Sequence, residues 1–192
     1  MAGKTALLVI DMQHDFTLPG APAYYETTGE MMPRLCENIN RLRELGVLIV
    51  IVYSIVPKDH PINPELTRVG KNRTLVEGTG GELLDERIPY DPARDIKLRK
   101  YAPSAFIKTD LLDMLHERGI ENVLVSGVKT NVCCRATATD AYSYGFRTFM
   151  VSDMLATNTA ELSQFHLDEM TKYMAKAIDS DEVFRRLDAG EL

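Results

Sequence analysis

Residues 5–10 read Thr-Ala-Leu-Leu-Val-Ile, apolar at every position after the threonine, and the run stops at Asp11. A strand with one face in water alternates polar and apolar side chains, because successive Cβ atoms point to opposite faces of a sheet. An unbroken apolar run therefore demands cover on both faces. Residues 47–53, 123–126 and 148–151 carry similar runs of varying length, residues 95–98 read as a short further strand, and a last short strand is expected near Ala177.

Segments of helical period separate these runs. Residues 29–45 place Met32, Leu35, Ile39, Leu42 and Leu45 on one stripe, and Gly46 closes it. A second helix is predicted over 104–118, capped by Ser104 and stopped by Gly119, a third over about 130–144, a fourth over about 159–173, and a last one capped around Ser180. Strands separated by helices must cross over, which makes neighbouring strands parallel. The expected fold is α/β, a Rossmann-like doubly wound parallel sheet flanked by helices on both faces, in a single domain over 1–192. Ligands of such sheets bind beyond the carboxyl ends of the strands, where the strand order reverses. Asp11, Lys100 and the loop that holds Cys133 all follow predicted strand ends. Residues 57–92, with Gly70, Gly78, Gly80, Gly81 and several prolines, are the least regular and read as an excursion over a site mouth or a subunit contact.

Charge and cysteine content exclude several classes of function. With 22 Lys and Arg against 28 Asp and Glu the net charge is -6, and no basic cluster stands out. Nucleic acid and anionic membrane are disfavoured as partners, leaving a small-molecule substrate. No apolar stretch approaches the roughly 20 residues of a membrane helix, and the N-terminus has no basic region before a long apolar run, so the chain is expected to be cytoplasmic. Three cysteines, Cys36, Cys133 and Cys134, are too few for a disulfide framework and poorly spaced for a zinc cage. The adjacent pair leaves open a redox-responsive, non-catalytic reading that uses Cys133 and Cys134 as a sensor.

Cys133 lies between an apolar strand and a helical pattern, where unpaired helix amides and the helix dipole favour a thiolate. It is the candidate nucleophile. Three stretches around the candidate residues then carry a family resemblance. Ala6 to Phe16 (ALLVIDMQHDF), Lys97 to Phe106 (KLRKYAPSAF) and Gly127 to Thr137 (GVKTNVCCRAT), the last followed by Asp140-Ala141, resemble in order the isochorismatase-like cysteine hydrolases, over nearly the whole chain. The resemblance implies a catalytic Asp11, Lys100 and Cys133, with no cofactor. It also implies a cis peptide at Val128-Lys129 that turns the Lys129 amide beside the Cys133 amide as an oxyanion hole, and a homo-oligomer. Lys100 is expected to lower the Cys133 pKa into the working range, and Asp11 to move the protons.

Other positions follow with less specific signals. Phe16, Tyr53 and Asn131 are candidate substrate-binding residues. Lys129 and Arg135 either attract a substrate carboxylate or are solvated charges. Cys134 is expected to pack into the core. Nicotinamidases of the family often carry an Asp and His pair after the second strand as metal ligands, whereas this chain reads Tyr53-Ser54-Ile55-Val56-Pro57. Asp59 and His60 follow in a proline-rich loop and read as polar surface. No metal is expected. An intact thiol favours acyl chemistry over vinyl ether cleavage, so the expected activity is hydrolysis of a small amide, ureide or carbamoyl compound with release of ammonia. A nicotinamidase without its usual metal ligands is the alternative.

Overall fold

A computed structural model of the chain describes residues 4–58, 68–69 and 72–192. Six strands form one wholly parallel sheet: β1 (Thr5–Ile10), β2 (Leu48–Ser54), β5 (Ile96–Lys100), β6 (Asn122–Val128), β7 (Arg147–Ala156) and β8 (Lys176–Ile178). Two-residue strands β3 (Arg68–Val69) and β4 (Asn72–Arg73) pair antiparallel, apart from the main sheet. The order across the main sheet is β5-β2-β1-β6-β7-β8. Chain order runs outward from β1 on one side and outward from β6 on the other, so the order reverses between these two central strands.

The apolar run that opened the sequence is explained by cover on both faces. Leu7 and Val9 join one core with Met32, Leu35, Ile39 and Leu42 of α2 (Glu26–Glu44) and Val183, Phe184 and Leu187 of α6 (Ser180–Asp188). Ala6, Leu8 and Ile10 join a second core with Leu111 and Leu115 of α3 (Leu111–Glu117), Ala138 and Ala141 of α4 (Arg135–Ser143), and Leu167 and Met170 of α5 (Ala160–Thr171). Each β1 side chain is fully removed from water or nearly so. The parallel sheet covered on both faces agrees with the sequence reading.

Several boundaries differ from expectation for local reasons. The helix expected over 104–118 begins only at Leu111, because residues before it form turns: Ser104 Oγ accepts from the Phe106 amide at 3.2 Å, and Lys108 adopts a φ of 57°. The helix expected over 130–144 splits into a π-helical turn, Thr130–Cys134, and α4. Helix α2 starts earlier than its apolar stripe, at Glu26, and ends as expected before Gly46, whose φ is 83°. The described part of the excursion over 57–92 is anchored from outside by a short helix, α1 (His14–Thr17). The Asp15 amide donates to the Gly81 carbonyl at 3.0 Å, and the buried Asp15 carboxylate accepts from the Leu75 amide at 2.5 Å. Among the described residues, no helix is long and apolar enough to cross a membrane.

Candidate active site

Asp11 is the first residue past β1. Its amide donates to the Val52 carbonyl of β2 at 2.9 Å, and its φ of 52° places it in the left-handed region, a conformation that costs a non-glycine residue about 1–3 kcal/mol. Ile10, the residue before it, pairs across the strand-order reversal with Gly127 of β6, which has a φ of 101°, and a Cβ there would come within 2.2 Å of the Ile10 carbonyl oxygen. Glycine is what lets the two central strands close up beneath Asp11.

Lys100 is the last residue of β5, one position inside the strand where the sequence reading placed it beyond the end. A lysine this buried, 4 % exposed, requires partners for its charge. It has three: Asp11 Oδ2 at 3.0 Å, the Ala102 carbonyl oxygen at 3.2 Å and Cys133 Sγ at 3.5 Å. All three ammonium hydrogens thus have acceptors. Burial works against the charged form, but Asp11 and the Cys133 sulfur outweigh it, and the Lys100 pKa is raised. The group stays an ammonium throughout the neutral range.

Cys133, half-buried as a residue, lies in the π-helical turn between β6 and α4 and packs against the α4-side core. Here the expectation of a lowered pKa is corrected. Burial first, and the Asp11 carboxylate second, push the Cys133 thiol up to about 12, and Lys100 opposes them without prevailing. The thiol at rest is therefore neutral, with Asp11 in hydrogen-bonding position to receive its proton. Cys134 is fully buried, its thiol donates to the Ser126 carbonyl at 3.7 Å, and burial raises its pKa well above the usual range. Both cysteines are free, and the Cys134 sulfur faces the core. That placement disfavours a sensor made of the two thiols.

The loop that carries Cys133 is pinned along its length. The Val128-Lys129 peptide is cis. Thr130 and Ser163 share a hydroxyl hydrogen bond of 2.9 Å, tying the turn to α5. Asn131 Oδ1 accepts from Thr157 Oγ1 at 2.6 Å, so its side chain orients the loop. Lys129 Nζ donates to Asn158 Oδ1 at 2.7 Å and to the Tyr25 hydroxyl at 3.3 Å, and stands 4.4 Å from the centre of the Tyr25 ring. Arg135 meets His166 Nδ1 at 2.6 Å.

Of the candidate residues, the structure brings Asp11, Lys100 and Cys133 together. Phe16 instead packs into the α2-side core with Met12 and Ala23. Tyr53 pairs in register with Arg99, so it lies on the sheet face opposite Lys100, with Lys97 Nζ 5.1 Å from its ring centre. Two residues without a role in the sequence reading also enter the site. Ser54, the last residue of β2, donates from Oγ to Asp11 Oδ1 at 3.2 Å, and Gln13, fully buried, binds the Ser54 backbone on both sides. A buried glutamine three residues after a strand end carries no local signal of its burial. Asp59 and His60 lie outside the described residues. Among the described residues, no group of three or more His, Cys, Asp or Glu side chains is placed to hold a metal ion.

The geometry has relatives. The isochorismatase domain model matches residues 5–182. The chain belongs to the isochorismatase family of hydrolases. Maleamate amidohydrolase of Pseudomonas putida is 26% identical to it over 186 residues, an alignment covering 96% of this chain and 87% of that protein. Nicotinamidase 3 of Arabidopsis thaliana is 31% identical over 183 residues, covering 95% and 88%. Among solved structures, an isochorismatase family protein from Desulfovibrio vulgaris superposes with a TM-score of 0.85 at 27% identity, covering 96% of this chain and all of that one. Amidohydrolases and nicotinamidases are thus the company this isochorismatase-family chain keeps.

Proposed function

We propose that the protein is a cysteine amidohydrolase that releases ammonia from a small amide, ureide or carbamoyl compound, working without a metal. The observation that carries the proposal is the buried ammonium of Lys100 set between the Asp11 carboxylate, at 3.0 Å, and the Cys133 sulfur, at 3.5 Å, beyond the strand ends where the strand order reverses.

In this reading Asp11 removes the Cys133 proton as sulfur attacks the substrate carbonyl carbon, because a thiol with a pKa near 12 does not ionise on its own at neutral pH. Lys100 stays charged and stabilises the anion as it passes from carboxylate to sulfur. The carbonyl oxygen becomes an oxyanion, received by the Lys129 and Cys133 amides, each such donor contributing about 10²–10³ in rate where it has been removed elsewhere. The carbon–nitrogen bond then breaks, Asp11 hands its proton to the departing nitrogen, and ammonia leaves a thioester on Cys133. Water, deprotonated by Asp11, adds to the thioester, and collapse releases the acid and restores the thiol.

The 31% identity to a nicotinamidase supports a second reading, in which nicotinamide is the amide hydrolysed. One experiment separates the substrates and tests the mechanism: ammonia release from maleamate, ureidoacrylate, biuret, N-carbamoyl amino acids and nicotinamide, with Cys133→Ser as control. Release from one class that disappears in Cys133→Ser is the expected result. Release that persists in that variant, or none from any compound with the native protein, overturns the proposal.

A further inference from the structure

We propose that Ser54 is a positioning residue for the reaction, holding the Asp11 carboxylate in one orientation through every proton transfer it makes; this rests on the reading of Asp11 as the base. The Asp11 carboxylate has two oxygens and two different jobs to keep apart. Oδ2 faces the Lys100 ammonium at 3.0 Å, and Oδ1 accepts from the Ser54 hydroxyl at 3.2 Å. Without the Ser54 contact the carboxylate loses the anchor on Oδ1, and the oxygen presented to sulfur, to the leaving nitrogen and to water is less firmly set.

A hydroxyl suits this position for a reason that neither a second lysine nor a backbone amide meets. Asp11 must cycle between carboxylate and carboxylic acid. An N–H group can only donate, so it opposes a proton arriving on its acceptor. A serine hydroxyl carries one hydrogen and two lone pairs, so it donates to the carboxylate and, after a rotation about its C–O bond, accepts from the acid. Ser54 therefore stays a partner of Asp11 in both protonation states. Lys100 serves the charged state alone.

The surroundings of Ser54 fix where its oxygen sits. Gln13 is wholly buried and spends its carboxamide on the chain at this point: Oε1 accepts from the Ser54 amide at 2.8 Å, and Nε2 donates to the Ser54 carbonyl at 2.7 Å and to the Glu82 carbonyl at 2.6 Å. Gln13 is two residues from Asp11, and its own amide donates to the Asp11 carbonyl at 2.8 Å. The Asp11 amide in turn is held by Val52, two residues before Ser54. A closed ring of contacts runs from Asp11 through Gln13 to Ser54 and back through the hydroxyl. Only the last link is a side chain touching the base, and a well-supported partner of this kind is what keeps a reacting group within about 0.5 Å of its working geometry.

The test uses the compound that gives the fastest Cys133-dependent ammonia release in the screen above. Ser54→Ala is expected to lower kcat about 10-fold or more with KM changed by less than about 3-fold, because the hydroxyl acts on the base rather than on bound substrate. Ser54→Thr, which keeps the hydroxyl, is expected to restore kcat to within about 3-fold of native. Thermal unfolding of both variants accompanies the kinetics. Native kcat in Ser54→Ala overturns the inference, as does a Ser54→Thr variant that folds with native stability but is as slow as Ser54→Ala. Either of those results leaves Cys133-dependent hydrolysis intact, whereas loss of Cys133 dependence strikes the functional reading itself.

Discussion

Asp11 has two opposed effects on Cys133. Its charge holds the thiol protonated, yet it is the base that the proposed reaction needs. Asp11→Asn separates the two. With the carboxylate gone, one of the two causes that raise the thiol pKa is removed while Lys100 still lowers it, so iodoacetamide should alkylate Cys133 about 10-fold faster or more at pH 8. Ammonia release should fall by about 10²–10⁴ in the same variant. Lys100→Met removes the opposing influence and should slow alkylation at that pH. Alkylation rates that move the other way in either variant would show that the charge balance at the sulfur is not the one described. Away from the site, burial tends to raise the Asp85 pKa, but hydrogen bonds from Arg87 and Thr17 outweigh it and hold the carboxyl at about 2. A depressed carboxylate stabilises the fold above its unfolded pKa and stops doing so as pH falls through the folded one. Asp85→Asn should therefore lower the melting temperature at pH 7, with the gap to native closing as the pH is taken down towards 2. A gap independent of pH would rule out ionisation as its cause.

Strand ends, more than strands, decide what this chain can do. Between β1 and β6 the close approach at Gly127 leaves no room for a side chain, and the left-handed φ penalises one independently. Gly127→Ala should cost about 2–4 kcal/mol in urea unfolding and reduce ammonia release with it. Gly46, at the C-terminus of α2, shares a positive φ but has open space around it, so Gly46→Ala should cost only about 1 kcal/mol and leave the site unaffected. Equal costs at the two positions would mean that the clash with Ile10 is relieved by movement of the strands. The elements also show where sequence reading has its limit. Asp11 and Cys133 stand beside clear strand and helix signals and were legible with their neighbours. Ser54 ends a strand as many serines do, and Gln13 is a polar residue in a motif of mixed character. Their roles arise from contacts with each other across 41 residues of chain, a separation that no local pattern encodes.

For the molecule as a whole, two cores divided by one sheet set the stability. Leu124, in central β6, is fully buried in the α2-side core. Leu124→Ala should cost about 3–5 kcal/mol, a large part of the roughly 5–15 kcal/mol available to a domain, with the denaturant m-value unchanged. A cost below about 1 kcal/mol would mean that the core collapses around the loss. By itself the sequence determined the class of fold, because apolar strands without alternation can exist only between two layers of helices. Its ordered motifs also pointed to Asp11, Lys100 and Cys133 as a set. What tertiary structure decided was the order of the strands, which puts these residues at one reversal point, and the protonation of the thiol. A pKa depends on burial and on charges a few ångströms away in space, and the Asp11 carboxylate that raises it comes from a position 122 residues earlier in the chain.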